Sequence, residues 1–421
     1  MTPKGWQRQS LGALATAYSG GTPSRAESCY FGGDIPWVKS GEVNARRIRK
    51  TEETITQQGL ESSSAKWVPS GSVLVAMYGA TAGKVARLEV RAAINQAILA
   101  VTALPHLASN DYLLYALEGA APELLSRVQG SGQPNLSAGL IKSLEVLVPP
   151  LPEQRKIAAI LSSVDEVIET TEGVIEQLQN LKRAMMQELL TRGLPGRHAR
   201  FKQTEMGEIP DEWAIVDFGN LIANGPTNGI YKPASSIGSG TLLVGMTALD
   251  TDDCINPIDW AKSRRATLTA DERTYYSLHK KDLLIRRVYA RIDGVGRAVC
   301  VNEPPEPAVY ESNMMRVRLD ENVAVPAFYR EYLDLDHVRA RVEAASTLAA
   351  QASINNKTLR AIRVARPSVE EQIEVVCQLE SMGRRLRTER EVLEGLCNLK
   401  SALMSVLLTG ELRTTPEKDV A

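Results

Sequence analysis

Cysteine, histidine and charge of one sign are all in short supply in this chain of 421 residues. The cysteines Cys29, Cys254, Cys300, Cys377 and Cys397 are odd in number and contain no CxxC pair. That excludes a disulfide framework and a zinc ribbon, and suits free thiols in a reducing compartment. His106, His198, His279 and His337 are scattered, so neither histidine catalysis nor a metal centre is expected. No apolar run approaches the roughly 18 residues of a membrane-spanning helix, and Met1-Thr2-Pro3-Lys4-Gly5-Trp6 has no signal-peptide core. A cytoplasmic protein with no membrane partner is the expectation. Lys+Arg total 49 against 50 Asp+Glu, which argues against attachment to a polyanion by bulk positive charge.

Catalytic signatures are missing too. Gly79-Ala80-Thr81-Ala82-Gly83-Lys84 follows an apolar strand, but a phosphate loop needs one more residue between its glycines and Ser or Thr where Val85 stands. Gly294-Val295-Gly296 lacks the third glycine and the following helix of a dinucleotide fold. There is no Gly-x-Ser-x-Gly elbow and no His-Glu-x-x-His. The Asn/Asp-Pro-Pro-aromatic signature of an amino-methyltransferase is absent: the prolines stand in Val148-Pro149-Pro150-Leu151 and Glu303-Pro304-Pro305-Glu306. The chain is expected to be non-catalytic and to hold no cofactor of its own.

What is present is a duplication. Adding 218 carries Pro149 to Pro367, Glu153 to Glu371, Gln154 to Gln372, Leu161 to Leu379, Asn180-Leu181-Lys182 to Asn398-Leu399-Lys400 and Leu190-Thr191 to Leu408-Thr409 without a gap. That period is too long for a solenoid, so the chain reads as two homologous halves. Residues 153–191 and 371–409 are the same helical pattern. Ile157, Ile160, Val164, Val167, Thr171, Val174, Leu178, Leu181 and Met185 recur at alternating spacings of three and four. That is a heptad seam. Val375, Leu379, Met382, Leu386, Leu393, Leu396, Leu403 and Leu407 give the second copy its own stripe, and each stripe is expected to pack on the other. Pro149-Pro150-Leu151-Pro152 sets the first helix start, and Gly193 and Gly410 mark the two ends. Ser368 and Glu371 form a capping box at the second start. Thirty-nine residues at ~1.5 Å each make a rod of roughly 58 Å, longer than one domain needs for its own core. It reads as a spacer.

Residues 1–150 and 210–367 share a frame but little sequence. Trp6 answers Trp213, Val73-Leu74-Val75 answers Leu283-Leu284-Ile285, and Gly83-Lys84 answers Gly296-Arg297. Each block mixes short β-branched runs with Gly, Pro and Asn turns, and a helix is expected near Asp111–Gln129 and near Pro326–Ala345. The helical segments are acidic, with 5 basic against 7 acidic residues in 151–192 and 7 against 9 in 371–421. Basic clusters sit inside the blocks: Arg46, Arg47, Arg49 and Lys50, then Lys262, Arg264, Arg265, Lys280, Lys281, Arg286, Arg287, Arg291 and Arg297. Such clusters serve phosphate contact or remain solvated surface charge.

Gly130-Ser131-Gly132-Gln133-Pro134-Asn135-Leu136-Ser137, Pro149-Pro150-Leu151-Pro152-Glu153-Gln154 with Ile157, Leu189-Leu190-Thr191-Arg192-Gly193 and Gly207-Glu208-Ile209-Pro210-Asp211-Glu212-Trp213 resemble the specificity subunit of type I restriction-modification systems. The resemblance runs from Trp6 through the closing helix. It implies a mixed α/β, α+β chain with a pseudo-two-fold internal repeat and two target-recognition domains (1–150 and 194–367). Two long antiparallel helices forming a coiled coil (151–193 and 368–412) separate them, with a tail at 413–421. It implies double-stranded DNA as ligand, two methyltransferase subunits and restriction/translocase subunits as partners, and S-adenosylmethionine, ATP and Mg confined to those partners. Ala350-Gln351-Ala352-Ser353-Ile354-Asn355 keeps only the glutamine of its counterpart, and Pro152 becomes Glu370.

Base reading needs bidentate donors, and Lys with backbone amides holds phosphates. On that basis Lys39, Ser40, Arg46, Arg47, Tyr78 and Lys84 are the DNA-contact candidates of the first block. Asn228, Lys232, Arg286, Arg287, Tyr289, Arg291 and Arg297 are those of the second, with Arg286 and Arg287 facing opposite sides of a strand. Ile157, Ile160, Val164, Leu178, Leu181, Leu379, Leu386, Leu393 and Leu396 are the helix-packing and partner candidates. The competing reading is a scaffold that joins proteins through its helices and binds no nucleic acid.

Overall fold

The computed structural model describes residues 2–128, 135–251, 257–348 and 351–414. Gly130 to Pro134, Cys254, Ala350 and most of the tail therefore lie outside the described residues. The chain divides into two units, Met1–Thr171 with Val392–Ala421, and Glu172–Glu391. The principal helices are α1 (Asn110–Ser126), α2 (Leu151–Thr191), α3 (Pro326–Tyr332), α4 (Asp336–Ala344) and α5 (Val369–Leu407). No described helix is long and apolar enough to cross a membrane.

In the first unit, Ala15–Ser19, Ile98–Ala103, Val73–Ala76, Val85–Leu88 and Arg47–Ile48 form a five-stranded sheet in that order. A second sheet orders Glu53–Ile55, Phe31–Val38, Ala92–Ile94 and Lys66–Val68. The central strands are buried on both faces, which is why Val73, Leu74, Val75 and Ala76 read as a continuous apolar run rather than an alternation. A ribbon of Gln7–Ser10 and Glu145–Val148 closes the block.

The second unit repeats the plan. Ile222–Asn228, Met314–Leu319, Leu283–Arg286 and Ala298–Cys300 follow the order of the first sheet, with no fifth strand among the described residues. Arg264–Ala266, Ile237–Val244 and Ala308–Tyr310 follow the second, with no strand equivalent to Lys66–Val68 among the described residues. Ala214–Asp217 pairs with Arg363–Arg366 as the closing ribbon. The helix expected near Pro326–Ala345 is two helices: Leu333 to Leu335 break it, and the chain turns so that Leu333 and Leu335 both enter the core.

In each unit the start of one long helix and the end of the other share a core. Ile157, Ala158 and Leu161 of α2 join Leu407 of α5 in the first, and Leu189 and Leu190 of α2 join Val375, Val376 and Leu379 of α5 in the second. The heptad seam holds only in part. Ile157, Leu379 and Leu386 are buried, and Ile160, Val164, Leu178, Leu393 and Leu396 half-buried, but Val167 and Leu181 are each 49% exposed. The stripe that is buried runs through Leu161, Asp165, Thr171 and Ile175 instead. A straight helix drifts about 20° per heptad against a 3.5-residue seam, so apolar positions chosen on that spacing rotate out of the core.

The repeat is anchored twice by the same chemistry. Trp6 Nε1 donates to Glu153 Oε2 at 3.0 Å, and Trp213 Nε1 donates to Glu371 Oε2 at 3.0 Å. Gln154 accepts from Ser109 N and donates to Leu107 O and Pro149 O; Gln372 accepts from Val325 N and donates to Val323 O and Pro367 O. The cations differ. Arg413 holds Glu153 with two bonds of 2.8 Å, whereas Glu371 meets the His198 ring at 2.7 Å, whose other nitrogen meets Glu212 at 2.5 Å. Because the Glu371 carboxylate is spent there, only half of the expected capping box forms: Glu371 N donates to Ser368 Oγ at 3.3 Å. Gly193 and Gly410 end the helices at φ 77 and 73, as their lack of Cβ permits.

Candidate nucleic-acid interface

Both units carry a strand, a tight turn and a returning strand at equivalent places. In the first, Val73–Ala76 and Val85–Leu88 flank Tyr78, a 3-10 turn over Gly79–Thr81, and Lys84. Tyr78 bridges Asn135 through the backbone and is 43% exposed. Lys84 is exposed and has no ion-pair partner among the described residues. Aromatic and cation thus point outward from a turn held by backbone pairing.

In the second unit the turn is longer and more firmly held. Val288–Tyr289 pairs with Ala352–Ser353, and a 3-10 turn covers Ile292–Gly294. A Cβ on Gly294 would sit 2.1 Å from the Tyr289 ring, so the ring packs directly against the turn. Arg297 and Arg339 both donate to the Asp293 carbonyl, at 3.2 and 3.0 Å. Arg291 is 79% exposed by side chain, with Asp293 at 2.6 Å. Arg286 lies over the Tyr289 ring at 5.1 Å and donates to Leu249 O, while Arg287 donates to Ser312 O at 3.2 Å. The two adjoining arginines thus serve different neighbours. Asn228 ends the Ile222–Asn228 strand, exposed.

Several other candidates are occupied within the chain. Lys39 Nζ lies 2.8 Å from Glu52 and 3.0 Å from Glu53, and Ser40 only opens a 3-10 turn behind it. Lys232 makes two 2.8 Å bonds to Glu272. Arg46 makes a bidentate pair with Glu118 (3.0 and 2.9 Å) and reaches Asp165 of α2 at 2.5 Å. Lys400 of α5 joins the same two carboxylates at 2.5 and 3.1 Å, and the Tyr115 hydroxyl donates to Asp165 at 2.6 Å. Burial opposes the charge on Arg46, but Glu118 and Asp165 outweigh it and hold the guanidinium well above its ordinary pKa. Glu118 is likewise buried, yet Arg46 and Lys400 keep its carboxyl below the usual range. Arg47 pairs with Glu89 at 3.1 Å and donates to Ser162 of α2; Arg49 pairs with Glu169 of α2 at 2.7 Å. The basic run therefore docks the block on the acidic face of its helix.

Lys66 and Arg91, single cations outside the basic clusters of the sequence, are exposed and meet no carboxylate among the described residues. Among the described residues, no group of His, Cys, Asp and Glu could hold a metal ion.

Residues 3–180 match the type I restriction modification DNA specificity domain. The type I restriction enzyme MjaVIII specificity subunit of Methanocaldococcus jannaschii is 26% identical over 72% of this chain and 70% of its own. The StySPI specificity subunit of Salmonella potsdam is 22% identical over 96% of this chain and 88% of its own. Among solved structures, the S subunit of a type I system from M. genitalium superposes with a TM-score of 0.59 at 14% identity, over 97% of both chains. A chain from a structure of type I assembly and conformational transition gives 0.56 at 17% identity, over 98% of this chain and 100% of its own. The matched domain and a sequence likeness along nearly the whole chain agree: residues 3–180 carry a type I restriction modification DNA specificity domain, and the chain as a whole is similar to the specificity subunits of type I restriction enzymes.

Proposed function

We propose that each unit reads one part of a split, asymmetric DNA target, and that the long helices fix the run of unread bases between the parts. One observation carries this reading: two units with the same strand order and the same Trp-Glu anchor present different chemistry at the equivalent turn, Tyr78 and Lys84 in one and Tyr289 and Arg291 in the other. A conserved frame under divergent tips is what two readers of different sequences require. In this reading Tyr78, Lys84, Asn228, Tyr289 and Arg291 face the duplex. Arg286, Arg287 and Arg297 support the second turn, and Lys39, Arg46, Arg47 and Lys232 maintain the blocks.

Exposed apolar positions on the long helices, among them the repeat-equivalent Leu181 and Leu399, support docking of two methyltransferase subunits, with S-adenosylmethionine in those partners. Restriction and translocase subunits complete the assembly. The test is to replace residues 1–150 with the corresponding block of a relative and map methylation in cells expressing the chain with its methyltransferase. One part of the target should change and the other persist. A change in both parts would refute independent reading.

A further inference from the structure

In the first unit some cations meet carboxylates and others do not. Lys39, Arg46, Arg47 and Arg49 each meet at least one acid. Lys66 and Arg91 meet none among the described residues, and both are exposed. Lys66 opens the edge strand Lys66–Val68, which among the described residues pairs with Ala92–Ile94 alone and has no counterpart in the second unit, and Arg91 immediately precedes that partner strand.

The two cations are placed by aromatic rings. The Arg91 guanidinium stacks over Trp67 at 4.2 Å, and Lys66 Nζ lies 5.9 Å from the Tyr18 ring, whose hydroxyl donates to the Trp67 carbonyl at 2.7 Å. Stacking fixes the face of a guanidinium and leaves its in-plane N–H groups pointing outward, the arrangement that grips a phosphate.

The patch is continuous with the Tyr78 turn. Met77 N donates to Ala97 O at 2.8 Å, and the neighbouring Gln96 side chain accepts from Thr22 at 2.5 Å. Gly21 then passes so close to the Ser64–Ala65 backbone that a Cβ would sit 2.6 Å from the Ser64 carbonyl carbon and 2.7 Å from Ala65 N, and Lys66 follows. One rim therefore runs from Tyr78 past Gln96 and Thr22 to Lys66.

We propose that Lys66 and Arg91 are DNA-contacting residues that hold backbone phosphates on the flank of the first unit's reading surface. The proposal rests on the reading of the first unit as a DNA reader. The bland function of such cations is to discourage strand addition at an open edge. That role needs neither the stacked geometry nor the rim.

The test uses the full chain in complex with its methyltransferase partner and a duplex carrying the mapped target, with Kd measured across salt concentrations. Lys66→Gln with Arg91→Gln should weaken binding about 30-fold near 0.15 M salt and lower the slope of log Kd against log salt by about 1.8, two counterions' worth. The preferred sequence should not change. Arg49→Gln, which removes a cation paired with Glu89 and Glu169, should leave the slope as it is. Wild-type binding with a steep slope that the double variant retains, within about two-fold in affinity, overturns the proposal. So does a variant that only aggregates more readily. A wild-type complex with no DNA affinity would overturn the functional reading itself, and with it this inference.

Discussion

Arg46 separates two accounts of the first block. If its guanidinium belongs to the Glu118–Asp165–Lys400 cluster, Arg46→Met leaves two carboxylates, one of them only 4% exposed, with Lys400 as the remaining cation and the Tyr115 hydroxyl as a neutral donor. Breaking a buried pair by removing one partner costs about 3–5 kcal/mol. Arg46 itself is 29% exposed by side chain, and solvent screens part of that, so about 2–3 kcal/mol is the expected loss. For a unit of this size each kcal/mol moves Tm by roughly 2–4 °C, giving a fall of about 4–12 °C. Thermal and urea unfolding of the complete chain would measure it, beside the salt dependence of DNA binding by the complex. Stability should drop while the salt slope stays unchanged. The opposite pattern, an unfolding midpoint within about 1 °C of wild type and a slope lowered by about 0.9, would show Arg46 holding a phosphate and refute the docking role.

The two Trp-Glu anchors should respond differently to pH. Burial alone would lower the His198 pKa, but Glu371 and Glu212 prevail and raise it, so its contribution is complete below the ordinary imidazole range and fades as pH rises through the folded value. The urea midpoint of the second unit should therefore decline from about pH 6 to 8 and flatten in His198→Gln; an unchanged profile in that variant would exclude the imidazole. Arg413 does not titrate there, so the Glu153 anchor should be indifferent to the same change. Trp213→Phe removes a donor from buried Glu371 and should cost about 1–3 kcal/mol by urea unfolding; a loss under about 0.3 kcal/mol would mean that the bond contributes nothing. Inserting four helical residues in phase near residue 172 should lengthen the unread run by about two base pairs, roughly 6 Å at ~1.5 Å per residue. A methylation map with an unchanged gap would contradict the spacer role.

The features legible in the sequence are those fixed by near neighbours. The duplication, the proline start at Pro152, the glycine ends at Gly193 and Gly410 and the helix near Asp111 needed only local pattern. What escaped depends on distant partners. Arg46 finds Glu118 across 72 positions and Arg49 finds Glu169 across 120, so a basic run that resembles a phosphate patch gives no local sign of being neutralised. Leu181 fits a 3.5-residue seam on paper and turns to the surface because the helix winds at 3.6. The Trp6-to-Glu153 and Trp213-to-Glu371 bonds could have been found, since all four residues recur at equivalent repeat positions.

The partition of the chain has a bearing on its synthesis. Glu172–Glu391 is one uninterrupted stretch, whereas the unit containing the first block also takes in residues from Val392 onward. Lys400, Leu407 and Arg413 supply a cation to the charge cluster, a core side chain and the clasp on Glu153. On the ribosome, then, the block made first is finished last, after the later one has all of its residues. A premature stop near residue 391 should leave the second half sound and the first half, fully translated long before, without its closing segment.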